Sequence, residues 1–173
     1  DDVLKTIIAE AAGEGEEGMY AVGSVIANRA KRRRKTAAEI VNQPAQFTGR
    51  WRSDLDRFIS RQPPEVLAAA ERAWQRAQSQ PMPGVDHYLT TELMERKPPS
   101  WATKMPVIKR VGAHTFLDSQ GVKPGASMSE DDRMAQLFEI DQVMKAYFGK
   151  ELSPQELRMM SGQKPAPQQP GLM

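Results

Sequence analysis

The stretch Ile7-Ile8-Ala9-Glu10-Ala11-Ala12-Gly13-Glu14-Gly15-Glu16-Glu17-Gly18-Met19-Tyr20-Ala21-Val22-Gly23-Ser24-Val25-Ile26-Ala27-Asn28-Arg29 decides how this chain folds. It sets one glutamate, Glu10, inside an apolar run, follows it with a glycine-rich acidic turn, and then resumes an apolar pattern. Residues 3–12 read as a short buried helix, with Asp1 and Asp2 favourable beside its N-terminal dipole. Gly13, Gly15 and Gly18 interrupt it. From about Glu16 to Lys31, Met19, Val22, Val25 and Ile26 recur at helical spacing, which predicts an amphipathic second helix. A carboxylic acid held in apolar surroundings keeps its proton near neutral pH. A proton donor of that kind is what cleavage of a glycosidic bond requires.

Working outward, Thr36 caps a short helix through Val41, with Glu39 completing a capping box. Gln43 to Arg52 reads as loop. Pro63-Pro64-Glu65 opens a helix that runs to Gln78, because proline suits a first helical turn. Pro81, Pro83 and Gly84 stop it. Val85 to Thr90 has strand character, 97–106 is irregular, and Val107 to Leu117 is a second strand that completes a small hairpin. Ser129 caps a helix to about Phe148, which Gly149 terminates. Ser153-Pro154-Gln155-Glu156 opens a last short helix, and 161–173 is a tail rich in Pro and Gln. The expected fold is α+β, mainly α, with a small β-hairpin. One domain spans 1–150, and a short helix and tail fill 151–173.

A chain of 173 residues can bury a core without covalent staples. It has no cysteine, which excludes disulfides and thiolate metal sites. A net charge of +2 is too small to point to nucleic acid. The run Lys31-Arg32-Arg33-Arg34-Lys35 reads first as a solvated helix end and second as a contact for an anionic polymer. No apolar stretch approaches the ~20 residues of a membrane span. No signal peptide is visible, although a chain that opens on Asp1 rather than Met leaves a leader open.

Glu10 leads the candidates for chemistry. Glu14, four residues on, shares its face only if the helix continues through Gly13; the glycines favour an end there. Glu16 and Glu17 suit the first turn of the next helix. Gln46, Phe47, Trp51, Tyr88, Trp101, His114 and Phe116 fall in loops and strands. Rings of this kind pack on the apolar faces of sugars while amides bond hydroxyl and N-acetyl groups; each ring alone is more often core, but their concentration in irregular segments favours function. His87 and His114 lack a closely spaced third ligand, so a metal site is weakly supported. There is no G-x-S-x-G elbow and no phosphate loop.

Ala9-Glu10-Ala11-x-Gly13-Glu14, then Glu17-Gly18-Met19-x-Ala21-Val22 and Val25-Ile26-x-Asn28-Arg29, resembles the opening of the SleB-type cell wall hydrolases. Gln46-Phe47, Asp86-His87-Tyr88, Pro98-Pro99-Ser100-Trp101-Ala102 and Gly112-x-His114-x-Phe116 are similar to its later blocks, in the same order. The resemblance covers about residues 4–117, and the chain departs from the spore enzymes of that family in lacking a recognisable wall-binding repeat region. It implies a compact lysozyme-like fold of the lytic transglycosylase kind, acting on bacterial peptidoglycan. It makes Glu10 the catalytic acid and Glu14, Gln46, Tyr88 and His114 the residues around it; the aromatic reading adds Phe47 and Trp101 to those expected to meet substrate, and no metal or cofactor is expected.

A single acid suits a transglycosylase, which closes the muramyl C6 hydroxyl onto C1, whereas hydrolysis normally takes two carboxylates. The sequence offers a second one only if Glu14 or Glu17 turns inward. Two other readings stay open. One is a zinc N-acetylmuramoyl-L-alanine amidase built on His87, His114 and a carboxylate. The other is a non-catalytic module that binds wall or assembles into a phage particle, meeting other virion proteins through the C-terminal tail. All place the chain at the bacterial cell wall, as an endolysin or carried in a virion among other routes, with no nucleic acid partner and no membrane span.

Overall fold

The computed structural model describes residues 1–44 and 46–121. Over these residues the fold is α+β and mainly α. Its helices are α1 (Asp2–Ala11), α2 (Gly15–Arg33), α3 (Ala37–Val41), α4 (Leu55–Ser60), α5 (Pro64–Ser79), α6 (Thr91–Arg96) and α7 (Ser100–Thr103). Its strands are β1 (His87–Thr90), β2 (Val107–Val111) and β3 (His114–Leu117).

The ends of these elements follow from local chemistry. Asp1 caps α1 by accepting the Val3 N–H at 2.8 Å. One 3-10 turn, Ala12–Glu14, follows α1 before Gly15, at φ +69°, lets the chain swing into α2. The capping box expected at Thr36 and Glu39 forms at the start of α3. Pro64 opens α5 as the sequence predicts.

Helix α2 differs from its expected amphipathic form. Every residue from Gly18 to Ile26 is buried, so this part of the helix runs through the centre of the domain rather than along its surface. It packs on α1 and α5 in a core of Val3, Ile7, Ile8, Met19, Val22, Val25, Ile26, Ala70, Ala73 and Ala77, with Ile40 and Phe116 closing it. Small residues permit the close approach: a Cβ on Gly23 would sit 3.0 Å from that of Ala77. The buried polar groups of α2 are satisfied by the segment after α5. Tyr20 donates to the Gln80 carbonyl, Ser24 accepts the Met82 N–H, and Asn28 donates to the carbonyls of Met82 and Val85.

The expected hairpin is a three-stranded antiparallel sheet in the order β1-β3-β2. What reads as one strand over Val107 to Leu117 is two, joined at Gly112, whose φ of +53° makes the reversal. Strand β2 is exposed through Arg110, and β3 is buried from Thr115 to Leu117. Three short helices, α4, α6 and α7, were not expected; α6 starts where Thr90 accepts the Leu93 N–H. Among the described residues no helix is long and apolar enough to cross a membrane. The helices expected over 129–148 and from 154, the tail from 161 and the boundary at 150 lie outside the described residues.

Candidate active site

Glu10 sits in the last turn of α1, where the chain leaves the helix for the glycine turn. Segments distant in sequence grip its two oxygens. The Gly49 N–H donates to Oε1 at 2.5 Å, from the 3-10 turn Gly49–Trp51. The Tyr88 hydroxyl donates to Oε2 at 2.7 Å, from β1. Glycine is required at 49. A Cβ there would lie 2.8 Å from the Ala9 carbonyl oxygen and 3.0 Å from Glu10 Oε1, so the turn reaches the carboxylate only without a side chain.

Burial pushes the Glu10 carboxyl above its ordinary range. The donors from Tyr88 and Gly49, and the nearby His114, pull the other way without overcoming it. Tyr88 is driven well above its ordinary range by burial and by the Glu10 charge, so it stays a phenol and a donor. The result is a protonatable acid with its geometry fixed from both sides.

Tyr88 is fixed in turn. Its ring stacks on Phe116 at 5.5 Å, meets His114 edge-on at 5.2 Å, and has Phe47 on another side at 6.4 Å. His114 Nδ1 lies 2.6 Å from Glu14 Oε1. Glu14 therefore does turn inward, with 13% of its side chain exposed. Two glycines make room for it. A Cβ on Gly18 would lie 2.5 Å from Glu14 Cβ, and one on Gly112 would lie 2.8 Å from Glu14 Oε2. That second oxygen is buried and has no hydrogen-bond partner among the described residues.

Behind this constellation lies a buried polar network. Asp86 accepts from the Arg32 guanidinium, from both the N–H and the hydroxyl of Ser119, and faces His87 Nδ1 at 3.0 Å. Burial alone would raise its carboxyl, but His87 and Ser119 hold it far below the usual carboxylate range. Arg29, also buried, donates to the Asp86 carbonyl at 2.7 Å and to Gln46 Oε1 at 3.0 Å. Burial brings the Arg29 guanidinium down to about 10, still charged at neutral pH. The basic run is the exposed C-terminal end of α2, and within it Arg32 also ties α2 to the segment before β1.

Of the residues expected to meet substrate, the structure brings Glu14, Tyr88 and His114 together around Glu10. Gln46 is half-buried and occupied by Arg29. Phe47 and Trp101 are corrections. Phe47 is 1% exposed and belongs to the main core, so it presents no face to a sugar. Trp101 is 7% exposed and packs with Leu89, Ala102, Met105 and Leu117, with its ring 5.7 Å from that of His87. Both aromatics shape the site by packing. Glu16 and Glu17 stay outside it, paired with Arg72 and Arg76 on α5. Sequence reasoning missed Gly49, whose contribution is a backbone N–H, and Asp86, whose partners lie on remote segments.

The family profile described as cell wall hydrolase matches residues 13–117, more than half of the chain. This chain belongs to the cell wall hydrolase family. Membership gives the hydrolase peptidoglycan as its substrate polymer and the cell wall as its place of action. The matched segment contains Glu14, Asp86, Tyr88 and His114, and begins just after Glu10. No curated protein and no solved structure gives a match to this cell wall hydrolase. Among its described residues, no three His, Asp or Glu side chains converge to hold a metal ion. Each histidine instead faces its own carboxylate, His87 with Asp86 and His114 with Glu14.

Proposed function

We propose that this chain is a lytic transglycosylase of the SleB type, with a lysozyme-like helical domain and Glu10 as its general acid and base. The observation that carries the reading is the setting of Glu10: a carboxyl raised by burial, gripped at both oxygens, on a domain of the cell wall hydrolase family. Protonated Glu10 gives its proton to the oxygen between N-acetylmuramic acid and N-acetylglucosamine as the C1–O bond breaks. The carboxylate left behind takes the proton of the muramyl C6 hydroxyl as O6 bonds to C1. Glu10 ends protonated, and the product is a 1,6-anhydro sugar.

The inward turn of Glu14 does not restore the two-carboxylate arrangement of a hydrolysing glycosidase. One of its oxygens is taken by His114 and the other is closed off from solvent. It supports the site as the residue that sets His114 against Tyr88. The amidase reading loses ground because its two histidines are held apart by separate carboxylate partners.

The test is mass spectrometry of the soluble products released from purified peptidoglycan by the wild type and by Glu10→Gln. Anhydro-muropeptides from the wild type alone are expected. Reducing-end products would overturn the transglycosylase mechanism, released stem peptides would restore the amidase, and cleavage by Glu10→Gln would remove Glu10 from the role.

A further inference from the structure

The two donors that grip Glu10 belong to segments far apart in sequence: Gly49 to the turn that follows the Gln46-Phe47 loop, and Tyr88 to β1. One buried side chain of α2 reaches both. Arg29 Nε donates to the Asp86 carbonyl at 2.7 Å, two residues before Tyr88. Arg29 Nη1 donates to Gln46 Oε1 at 3.0 Å, three residues before Gly49. The guanidinium also lies 5.4 Å from the centre of the Phe47 ring, and that ring in turn faces Tyr88 at 6.4 Å.

Arginine suits this span. Its donors are held in one plane, so a guanidinium that binds one acceptor fixes the direction of the other. A lysine ammonium is a point charge and does not reproduce that fork. Burying a cation is costly unless its donors are used, so Arg29 resists leaving either acceptor. The ionisable groups around it are Arg32 and Arg33 of its own helix, the Asp86 carboxylate and the Tyr88 phenol. Its neighbours on α2 hold one segment each. Asn28 bonds the Met82 and Val85 carbonyls, Arg32 bonds Asp86, and Arg33 bonds Gln43.

We infer that Arg29 is a positioning residue, a brace that holds the Gly49 turn and β1 at the separation where both donors meet the Glu10 carboxyl. It acts through those two segments rather than on the carboxyl itself. Its consequence for catalysis rests on the reading of Glu10 as the acid; its consequence for the Glu10 proton does not.

The test reads that proton directly. Isotope-labelled glutamate carboxyls are followed by NMR across pH, and the Glu10 signal is assigned by its loss in Glu10→Gln. The variants are Gln46→Met, which removes one acceptor and leaves Arg29 in place, and Arg29→Lys, which keeps the charge and removes the fork. Weaker donation to the carboxylate is expected to move the Glu10 midpoint upward by about half a pH unit in each. The rate of anhydro-muropeptide release is expected to fall about tenfold. Leu67→Ala, on α5 and packed against the main core, is the control for general loosening. Its Tm falls while its Glu10 midpoint stays in place. Gln46→Met carries the test if Arg29→Lys does not fold. A midpoint that is unmoved in Gln46→Met, or that moves as far in Leu67→Ala, would overturn the brace. A moved midpoint in a protein whose wild type releases no anhydro-muropeptides would uphold the brace and overturn the catalytic reading.

Discussion

The Tyr88 hydroxyl lies 2.7 Å from Glu10 Oε2, a bond that joins the first helix to the sheet across 78 residues of sequence. It favours the carboxylate over the carboxylic acid, and so it opposes the burial that raises Glu10. Removing it in Tyr88→Phe takes away the largest of the influences that oppose burial. In the proposed mechanism the protonated acid is the active form, so activity falls as pH rises through the Glu10 pKa. The alkaline limb of the pH–rate profile should therefore move upward in Tyr88→Phe. A limb that stays in place, measured as turbidity loss of wall suspensions across pH, would separate Tyr88 from the titration of Glu10.

The same shift has a signature in stability. The folded chain holds the Glu10 proton more tightly than the unfolded chain does, so this group costs stability as pH rises from 4.5 through its raised value. Glu10→Gln removes the cost. Its Tm should equal that of the wild type in acid and exceed it at neutral and alkaline pH. Thermal melts at several pH values check the crossing.

Gly49→Ala tests the other grip. The added methyl meets the Ala9 carbonyl and Glu10 Oε1 inside van der Waals contact, and one of those atoms is backbone. The turn must retreat and take its N–H with it. A loss of about 1–3 kcal/mol in stability is expected from the overpacking, together with a fall in turnover of at least about tenfold from the displaced acid. An alanine variant with normal turnover would mean that the Gly49 contact is dispensable.

Glu14 and His114 should behave as one unit. With the 2.6 Å contact between them sheltered from solvent, Glu14→Gln and His114→Gln are expected to be non-additive, with a coupling of about 0.5–3 kcal/mol in a double-mutant cycle. Additive effects in urea melts would show that the pair does not act together.

Asp86 carries the strongest pH linkage of the opposite sign. Its folded carboxyl is held below the unfolded value of 3.8, so its contribution is complete above that value and is lost as pH falls below it. Asp86→Asn leaves the Arg32 charge without its carboxylate. A loss of about 3–5 kcal/mol at neutral pH is expected, and the gap to the wild type should narrow below pH 3.8. A constant gap across pH would rule out titration of Asp86 as its source.

The sequence makes the helices visible because their signals are local. The Thr36–Glu39 capping box and the Pro64 start are readable within one turn of chain. The acid is readable for the same reason, as a glutamate set among Ile7, Ile8, Ala9 and Ala11. The centrality of α2 is harder to see, since Gly18, Gly23 and Ser24 do not register as apolar yet are buried by close packing and by bonds to the Met82 segment. The two strands within Val107–Leu117 merge in the sequence because the segment alternates only weakly and Gly112 is its single punctuation mark. Phe47 and Trp101 show the limit of composition: an aromatic in a loop reads as a sugar platform until packing reveals which side it faces. The direction of Glu14 depends on Gly18 and Gly112 making space together, a pairing that no window on the chain contains.

Glu10 lies on α1, while its grips come later in sequence, from Gly49 and Tyr88, and the clamp on Tyr88 later still, from His114 and Phe116. On a ribosome, which emits the chain from its N-terminus, the reactive carboxyl would therefore emerge long before anything that orients it. In the proposed mechanism, cutting power arrives only when β3 closes the sheet. A wall-degrading enzyme with that order of assembly is inert as a nascent or truncated product, so its own fold acts as the safety for the cell that makes it.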